Sequence, residues 1–302
     1  MFNQLLIIFI VVLSITTGCF ADNSLSPEET VRKYQAKVDS LPTLPKGLNL
    51  KGWDYLIARL IQTGVSKEEL LKIYTDPRMP KMGRVSFKLK PRESKSIYRG
   101  FISKANLNTG RTFINNNQTT FNQVEKIYNV PKEVITAILL VESGFGRNTG
   151  RSLIINRLSR LGGISAPENL KFNLAKMQKE DPSIKWSDVI ARATYLEDTF
   201  MQEIPATIKI CKENKIDIFN FKGSSAGAFG WAQFLPSSYL KFAVDFDKNG
   251  KKSLFSRQDA IASIANYLNS NGWNNKSDRE VIWSYNKSDA YIDTILGLAE
   301  RF

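Results

Sequence analysis

Whatever chemistry this 302-residue chain performs, it performs without histidine, because the sequence contains none. Ser-His-Asp and Cys-His catalysis and His-ligated zinc are therefore excluded. The two cysteines, Cys19 and Cys211, are too few for a Cys-rich metal site. Carboxylates, Lys, Tyr, Ser or a bound ion remain. One carboxylate stands apart. Glu142 closes the run Val134-Ile135-Thr136-Ala137-Ile138-Leu139-Leu140-Val141-Glu142-Ser143. Ile135, Ile138 and Leu139 precede it by seven, four and three residues, so a helix puts them on its face. That helix is apolar almost all round and should be buried. Glu142 at its end is then partly desolvated, which raises its pKa toward neutrality. An acid still protonated near neutral pH is what the leaving oxygen of a glycosidic bond requires. Gly144-Phe145-Gly146 would end the helix and leave the carboxyl at a cleft edge. The competing reading is that Glu142 only marks where the helix meets solvent.

A second group of oxygens lies downstream. Asp245-Phe246-Asp247-Lys248-Asn249-Gly250-Lys251 opens like an EF-hand loop, with oxygens at positions 1, 3 and 5, Gly at 6 and a carbonyl at 7. Position 12 is Ser256 rather than the usual bidentate Glu. Asp-Lys-Asn-Gly is equally a tight turn, and Ser256-Arg257-Gln258-Asp259 equally a helix capping box. Ser238-Tyr239-Leu240-Lys241 and Ser284-Tyr285-Asn286 imitate the SxxK and SxN of penicilloyl serine enzymes. A Lys-Thr-Gly should follow well downstream, yet only sixteen residues remain after Asn286, so we regard the match as chance.

These groups need helices to position them. Ser26-Pro27-Glu28-Glu29 and Ser66-Lys67-Glu68-Glu69 read as capping boxes, predicting helices to about Val38 and Tyr74. Further helices are predicted over Trp53–Thr63, Phe121–Tyr128, from Val130-Pro131, over Thr199–Glu213 despite Pro205, Ser237–Phe242, Ser256–Ser270 and Ile292–Arg301. Arg160–Ser187 reads as polar and broken, and Asn220–Gly230 as a Gly- and Ser-rich loop. Strand signals are few. At the N-terminus, Leu5–Leu13 is unbroken apolar sequence, short for a membrane span and typical of an export signal. Thr16-Thr17-Gly18-Cys19 then resembles a lipobox with Cys19 as the lipidated residue; cleavage after Ala21 is the alternative. The net charge of +13 favours an anionic partner, but no arginine-rich run or RNA-binding signature points to nucleic acid.

Glu142-Ser143, Gly230-Trp231-Ala232-Gln233 and Tyr285-Asn286 occur in an order that resembles the lytic transglycosylases of lysozyme-like fold. Gly223-Ser224-Ser225-Ala226-Gly227-Ala228-Phe229-Gly230 through Ser237-Ser238-Tyr239 resembles the central signature of the membrane-bound lytic transglycosylase B family. Asp245-Phe246-Asp247, Asp259-Ala260-Ile261, Gly272-Trp273 and Tyr285-Asn286 continue it, so the likeness runs from about Trp53 to the C-terminus. Members of that family often carry Glu-Thr followed by Arg-Trp-Gly, where this chain has Glu142-Ser143-Gly144-Phe145-Gly146. They also tend to carry an Arg pair for the stem peptides, for which Arg192 is the candidate here.

The resemblance implies a mainly α protein: a signal over 1–21, an N-terminal helical region over 22–115 and a lysozyme-like catalytic domain over 116–302 with an EF-hand-like loop. It implies cleavage of the MurNAc-GlcNAc β-1,4 bond of peptidoglycan without water, with Glu142 as acid and then base. Ser143, Arg192, Ser224, Gln233, Phe234, Tyr285, Asn286 and Tyr291 are the implied substrate-binding residues. Ser224 and Gln233 would bond sugar hydroxyls or the acetamide. Tyr285 and Asn286 would hold the N-acetyl group or Glu142 itself, and Phe234 and Tyr291 would pack on sugar rings. Asp259 would complete a structural calcium site with Asp245, Asp247, Asn249 and the Lys251 carbonyl; no organic cofactor is implied. The expected protein is a monomeric periplasmic lipoprotein of the outer membrane. A hydrolase of lysozyme type and a non-catalytic peptidoglycan-binding lipoprotein are the alternatives.

Overall fold

The computed structural model describes residues 25–91 and 95–302. The export signal and Cys19 lie outside the described residues. Helices dominate because the chain is punctuated by caps and apolar stripes rather than by strand-like alternation. α1 (Pro27–Asp39) starts on the expected capping box: Ser26 Oγ accepts from the Glu29 N–H, and the Glu29 carboxylate accepts from the Ser26 N–H. α2 (Asp54–Gln62) and α3 (Lys67–Thr75) follow, and a 3-10 turn spans Lys95–Ile97. Next come α4 (Lys104–Asn116), α5 (Gln118–Tyr128) and α6 (Lys132–Ser143). The two-residue strand β1 (Ser152–Leu153) precedes α7 (Ile154–Gly162), α8 (Pro167–Gln178), α9 (Trp186–Met201) and α10 (Glu203–Glu213). β2 (Lys222–Gly223) pairs with β1. The chain ends with α11 (Pro236–Phe242), α12 (Arg257–Ser270), α13 (Asp278–Tyr285) and α14 (Asp289–Ala299). Among the described residues no helix is long and apolar enough to cross a membrane.

Four helices were not expected, α4, α7, α8 and α13, and neither was α9 before its last turn. The helix predicted across Thr199–Glu213 is divided at Gln202. Pro205 sits in the first turn of α10, where its missing N–H deprives no helical carbonyl.

The chain forms two compact units, one of Pro91–Ser152 with Lys222–Phe302, the other of 25–90 with Leu153–Phe221. The expected boundary at 115/116 falls in the last turn of α4, inside the first unit. Leu153–Phe221, expected within the catalytic region, groups instead with the N-terminal helices. Polar bonds between distant segments account for this grouping. Tyr34 Oη donates to the Ser165 carbonyl (2.8 Å), and the Asn169 and Asn173 amides both bond the Val85 backbone. Neither link is visible locally in sequence.

The core of the first unit is α6, which packs against α4, α12 and α14. Every residue from Val134 to Ser143 is buried, with Ile135, Ile138 and Leu139 fully so. Burying each such side chain contributes about 1.5–3 kcal/mol. This burial forces the last residues of the helix, Glu142 among them, out of bulk water.

Candidate active site

α6 stops because Gly144 adopts a left-handed conformation (φ 57°, ψ 46°), and its N–H returns to the carbonyls of the last turn. Phe145 (φ 60°) and Gly146 (φ 78°) continue in the same region. A bulky residue rarely accepts positive φ, so Phe145 is held there by its surroundings. Gly146 admits no side chain, because a Cβ would fall 2.1 Å from the Trp231 indole. Ser143 fastens this turn. Its hydroxyl donates to the Trp231 carbonyl (2.8 Å) and accepts from the Gly146 N–H (2.9 Å). Ser143, expected at the substrate, is thus fully engaged in positioning the residue beside Glu142.

Glu142 is 8% exposed. Burial pushes its pKa up to about 8, opposed by one hydrogen bond, in which Tyr291 Oη donates to Oε1 at 2.7 Å. Among the described residues no second carboxylate contributes to the shift. Tyr291 is itself fully buried and titrates well above an ordinary tyrosine, through burial first and then the charge of Glu142. It therefore does not pack on a sugar as expected; it holds the acid. Tyr285 stacks beside Tyr291 (centroids 6.5 Å apart, planes 9° apart) and donates to the Ala232 carbonyl. Tyr98 meets Tyr291 edge-on at 6.1 Å. Phe234 is 3% exposed and packs on Tyr267 and Tyr285, so it too forms the floor of the site rather than a face for a sugar.

The Gly/Ser segment brings Gln233 to this cluster. The Phe229 N–H bonds the Phe234 carbonyl, closing a tight loop in which Gln233 takes φ 49°. Gly230 (φ 72°) lies where a Cβ would strike Leu254 at 2.3 Å. The Gln233 amide nitrogen donates to the Gly230 (2.8 Å) and Thr149 (3.3 Å) carbonyls, which fixes its orientation. Its Oε1 is buried and without a hydrogen-bond partner, an acceptor with nothing to accept from. Ser224 Oγ accepts from the Ala226 and Ala228 N–H groups and so organises its own loop, with its proton still to give. Asn286 caps α13, half-buried. Arg192 belongs to the second unit, 2% exposed on α9, where its Nε donates to the Lys88 carbonyl.

The acidic loop gathers as expected. Asp245, Asp247 and Asp259 bring carboxylate oxygens within 4.8 Å of one another. Asp259 does not cap α12 in the manner of a capping box. Its fully buried carboxylate accepts instead from the N–H groups of Phe246, Asp247 and Ser253. Asn249 Oδ1 accepts from the Lys251 N–H. Among the described residues none of the three carboxylates faces a Lys or Arg at ion-pair distance, a donor set that suits a hard divalent cation.

Sequence reasoning missed Trp231 and Phe113 as parts of the site's wall and Tyr98 as a neighbour of Tyr291. Trp231 stood inside the Gly-Trp-Ala-Gln motif and could have been singled out. Phe113, one aromatic in an Asn-rich segment, carried no signal.

Known proteins resemble this chain in sequence and in fold. Residues 51–279 match the family model described as Transglycosylase SLT domain. Over 173 residues the chain is 34% identical to membrane-bound lytic murein transglycosylase B of Escherichia coli K12, a match covering 57% of this chain and 40% of that protein. The soluble lytic transglycosylase SltB1 of Pseudomonas aeruginosa superposes with a TM-score of 0.61 at 23% identity, over 83% of this chain and 97% of that one. Escherichia coli Slt35, solved in complex with calcium, gives 0.61 at 19% identity, over 92% and 97%. The mainly helical, lysozyme-like expectation holds.

Proposed function

This chain belongs to the Transglycosylase SLT domain family, and from that premise we propose that it is a lytic transglycosylase cutting the MurNAc-GlcNAc β-1,4 bond of peptidoglycan. The observation that carries the reading is Glu142, a carboxyl held protonated at neutral pH by burial, with one oxygen anchored by Tyr291. Protonated Glu142 gives its proton to the glycosidic oxygen as the bond to C1 of MurNAc breaks. The sugar's own acetamide stabilises the cationic centre, so no protein nucleophile is needed. Glu142, now ionised, takes the proton of the C6 hydroxyl, whose oxygen closes on C1. The product is a 1,6-anhydro ring and no water is consumed. An inverting hydrolase would need a second carboxylate about 6.5–9.5 Å away. The motifs around Glu142 carry no such second acid outside the acidic loop, which favours the lyase.

The unpartnered Gln233 Oε1 suits an N–H or O–H of the bound sugar, and Ser224 retains a proton to donate. Tyr285, stacked on Tyr291, borders the acid, and Asn286 would hold the N-acetyl group. Arg192 is retained as a stem-peptide contact only if its burial is relieved. Asp245, Asp247 and Asp259, with the Asn249 side chain and the Lys251 carbonyl, would hold a structural calcium ion that ties their loop to α12. The chain acts as a monomer in the periplasm, anchored through a lipid on Cys19.

The test is digestion of purified murein followed by mass spectrometry of the sugar ends. Anhydro-muramyl ends support the lyase. Reducing ends would make the protein a hydrolase, and binding without any product a murein-binding protein.

A further inference from the structure

Three of the partly exposed aromatic side chains of the first unit lie together next to the turn that follows Glu142: Phe113 on α4, Phe145 in the turn after α6, and Trp231 in the Gly/Ser segment. Phe113 and Phe145 are stacked, with centroids 4.3 Å apart and planes 18° apart. Trp231 is tilted against Phe113 at 6.4 Å. Four features argue that this is more than leftover apolar surface. Three segments distant in sequence contribute one ring each. Phe145 is kept in the left-handed region, an arrangement that costs a bulky residue energy and persists where surroundings enforce it. Gly146 is bare, and only a bare residue lets the indole lie against the backbone. Ser143, adjacent to the acid, hydrogen-bonds the Trp231 carbonyl, so the patch is continuous with the catalytic cluster. Underneath, Phe113 packs edge-on against the buried Phe121, which roots the rings in the core.

We propose that Phe113, Phe145 and Trp231 form a stacking platform for an N-acetylhexosamine ring of the glycan strand, one position or more beyond the cleaved bond. A pyranose ring presents a flat face of C–H groups. An exposed aromatic face removes that surface from water without demanding a charged partner, as contiguous apolar patches at ligand grooves do. The platform would favour long strands over short ones. It rests on the glycan-cleaving reading above, but its test does not use turnover.

Binding of β-1,4-linked GlcNAc oligomers of increasing length is measured by calorimetry on the Glu142→Gln protein, with and without Phe113→Leu. Phe145→Leu provides a second variant, because Phe113 also touches Phe121. Melting temperatures are recorded for all. The expected result is that affinity rises with length in Glu142→Gln. Either Leu substitution should remove about tenfold of that rise while affinity for the shortest bound oligomer and the melting temperature hold. Equal weakening at every length, or no weakening at any, overturns the platform. Failure of the lyase reading shows separately, as murein digests lacking anhydro ends while length-dependent oligomer binding persists.

Discussion

Each unit buries a glutamate in its interior, and the two are solved in opposite ways. Glu142 in the first unit meets a single neutral hydroxyl, that of Tyr291. Glu197 on α9 in the second unit is fully buried and accepts from Lys37 Nζ (3.0 Å), Arg59 Nε (3.0 Å) and Tyr55 Oη (2.8 Å). Burial is nearly the same; the partners are not. A buried carboxyl surrounded by cations is a structural ion pair, and its charge is spent on them. A buried carboxyl given only a hydroxyl keeps its proton and can deliver it elsewhere. Desolvation therefore does not by itself identify an acid catalyst. What identifies it is desolvation without a cation.

The largest effect should come from abolishing the first arrangement. Glu142→Gln removes both proton transfers, and the rate of anhydro-sugar release should fall about 10³-fold or more. The same substitution tests the protonation state without any substrate. A folded pKa near 8 against 4.5 for an unperturbed Glu means the folded chain holds a proton that the unfolded chain releases across this window. Stability from this group is complete below the lower value and is lost as pH rises toward the upper. At about pH 9 Glu142→Gln should be more stable than the wild type, by on the order of 2–4 kcal/mol, and near pH 4 the two should converge. Parallel denaturation curves at both pH values would sink the idea of a buried, neutral Glu142.

Breaking the second arrangement should do the reverse. Glu197→Gln strands Arg59 and Lys37 against a neutral partner in a buried site. The expected cost is about 3–5 kcal/mol of stability. Murein cleavage per folded molecule should stay near wild type, which urea denaturation alongside an activity assay would check. A loss of activity in fully folded protein would show that the contrast between the two glutamates is not one of chemistry against structure.

The two sites were also unequally legible. Glu142 could be read because its environment is local: the apolar residues that desolvate it precede it on one helix. The partner that matters most, Tyr291, lies 149 residues on, and only the fold shows that it binds the acid rather than a sugar. Glu197 could not be read at all, since Arg59 and Lys37 stand 138 and 160 residues away. The missed helices have the same cause. α4 is rich in Asn, Thr and Gly, poor helix formers, and it is held by packing: the Phe302 ring lies so close on Gly110 that a Cβ there would fall 2.1 Å from it. α8 presents Asn169 and Asn173 inward, polar residues that looked like loop until Val85 supplied their partners. α13 did carry a local signal, the Ser277–Glu280 capping box, which went unused.

Asp259 offers a third way to bury an acid and a sharper version of the comparison. Its donors are backbone N–H groups, and its nearest charges are two more carboxylates. If a cation completes the set, calcium at a hundredfold excess over its Kd should stabilise the fold by about 2.7 kcal/mol. Asp259→Asn should erase that response. A thermal melt unaffected by calcium or by chelator would leave the loop as a turn held by its own hydrogen bonds.

The smallest effect is the most discriminating. Tyr291→Phe keeps the ring and its contacts with Tyr98 and Tyr285 and deletes only the hydroxyl on Glu142. That hydroxyl favours the ionised carboxylate, so its loss should move the Glu142 pKa further upward. The alkaline limb of the pH–rate profile should then shift to higher pH. Within the plateau the rate should fall about tenfold, because one oxygen of the acid is no longer held in place and the ionised form needed for the second proton transfer has lost its donor. A void the size of one oxygen would lower stability slightly but would not move a titration limb. The limb therefore separates a tyrosine that tunes the acid from one that merely fills space. An unmoved limb with a lowered melting temperature would return Tyr291 to the core and leave Glu142 governed by burial alone.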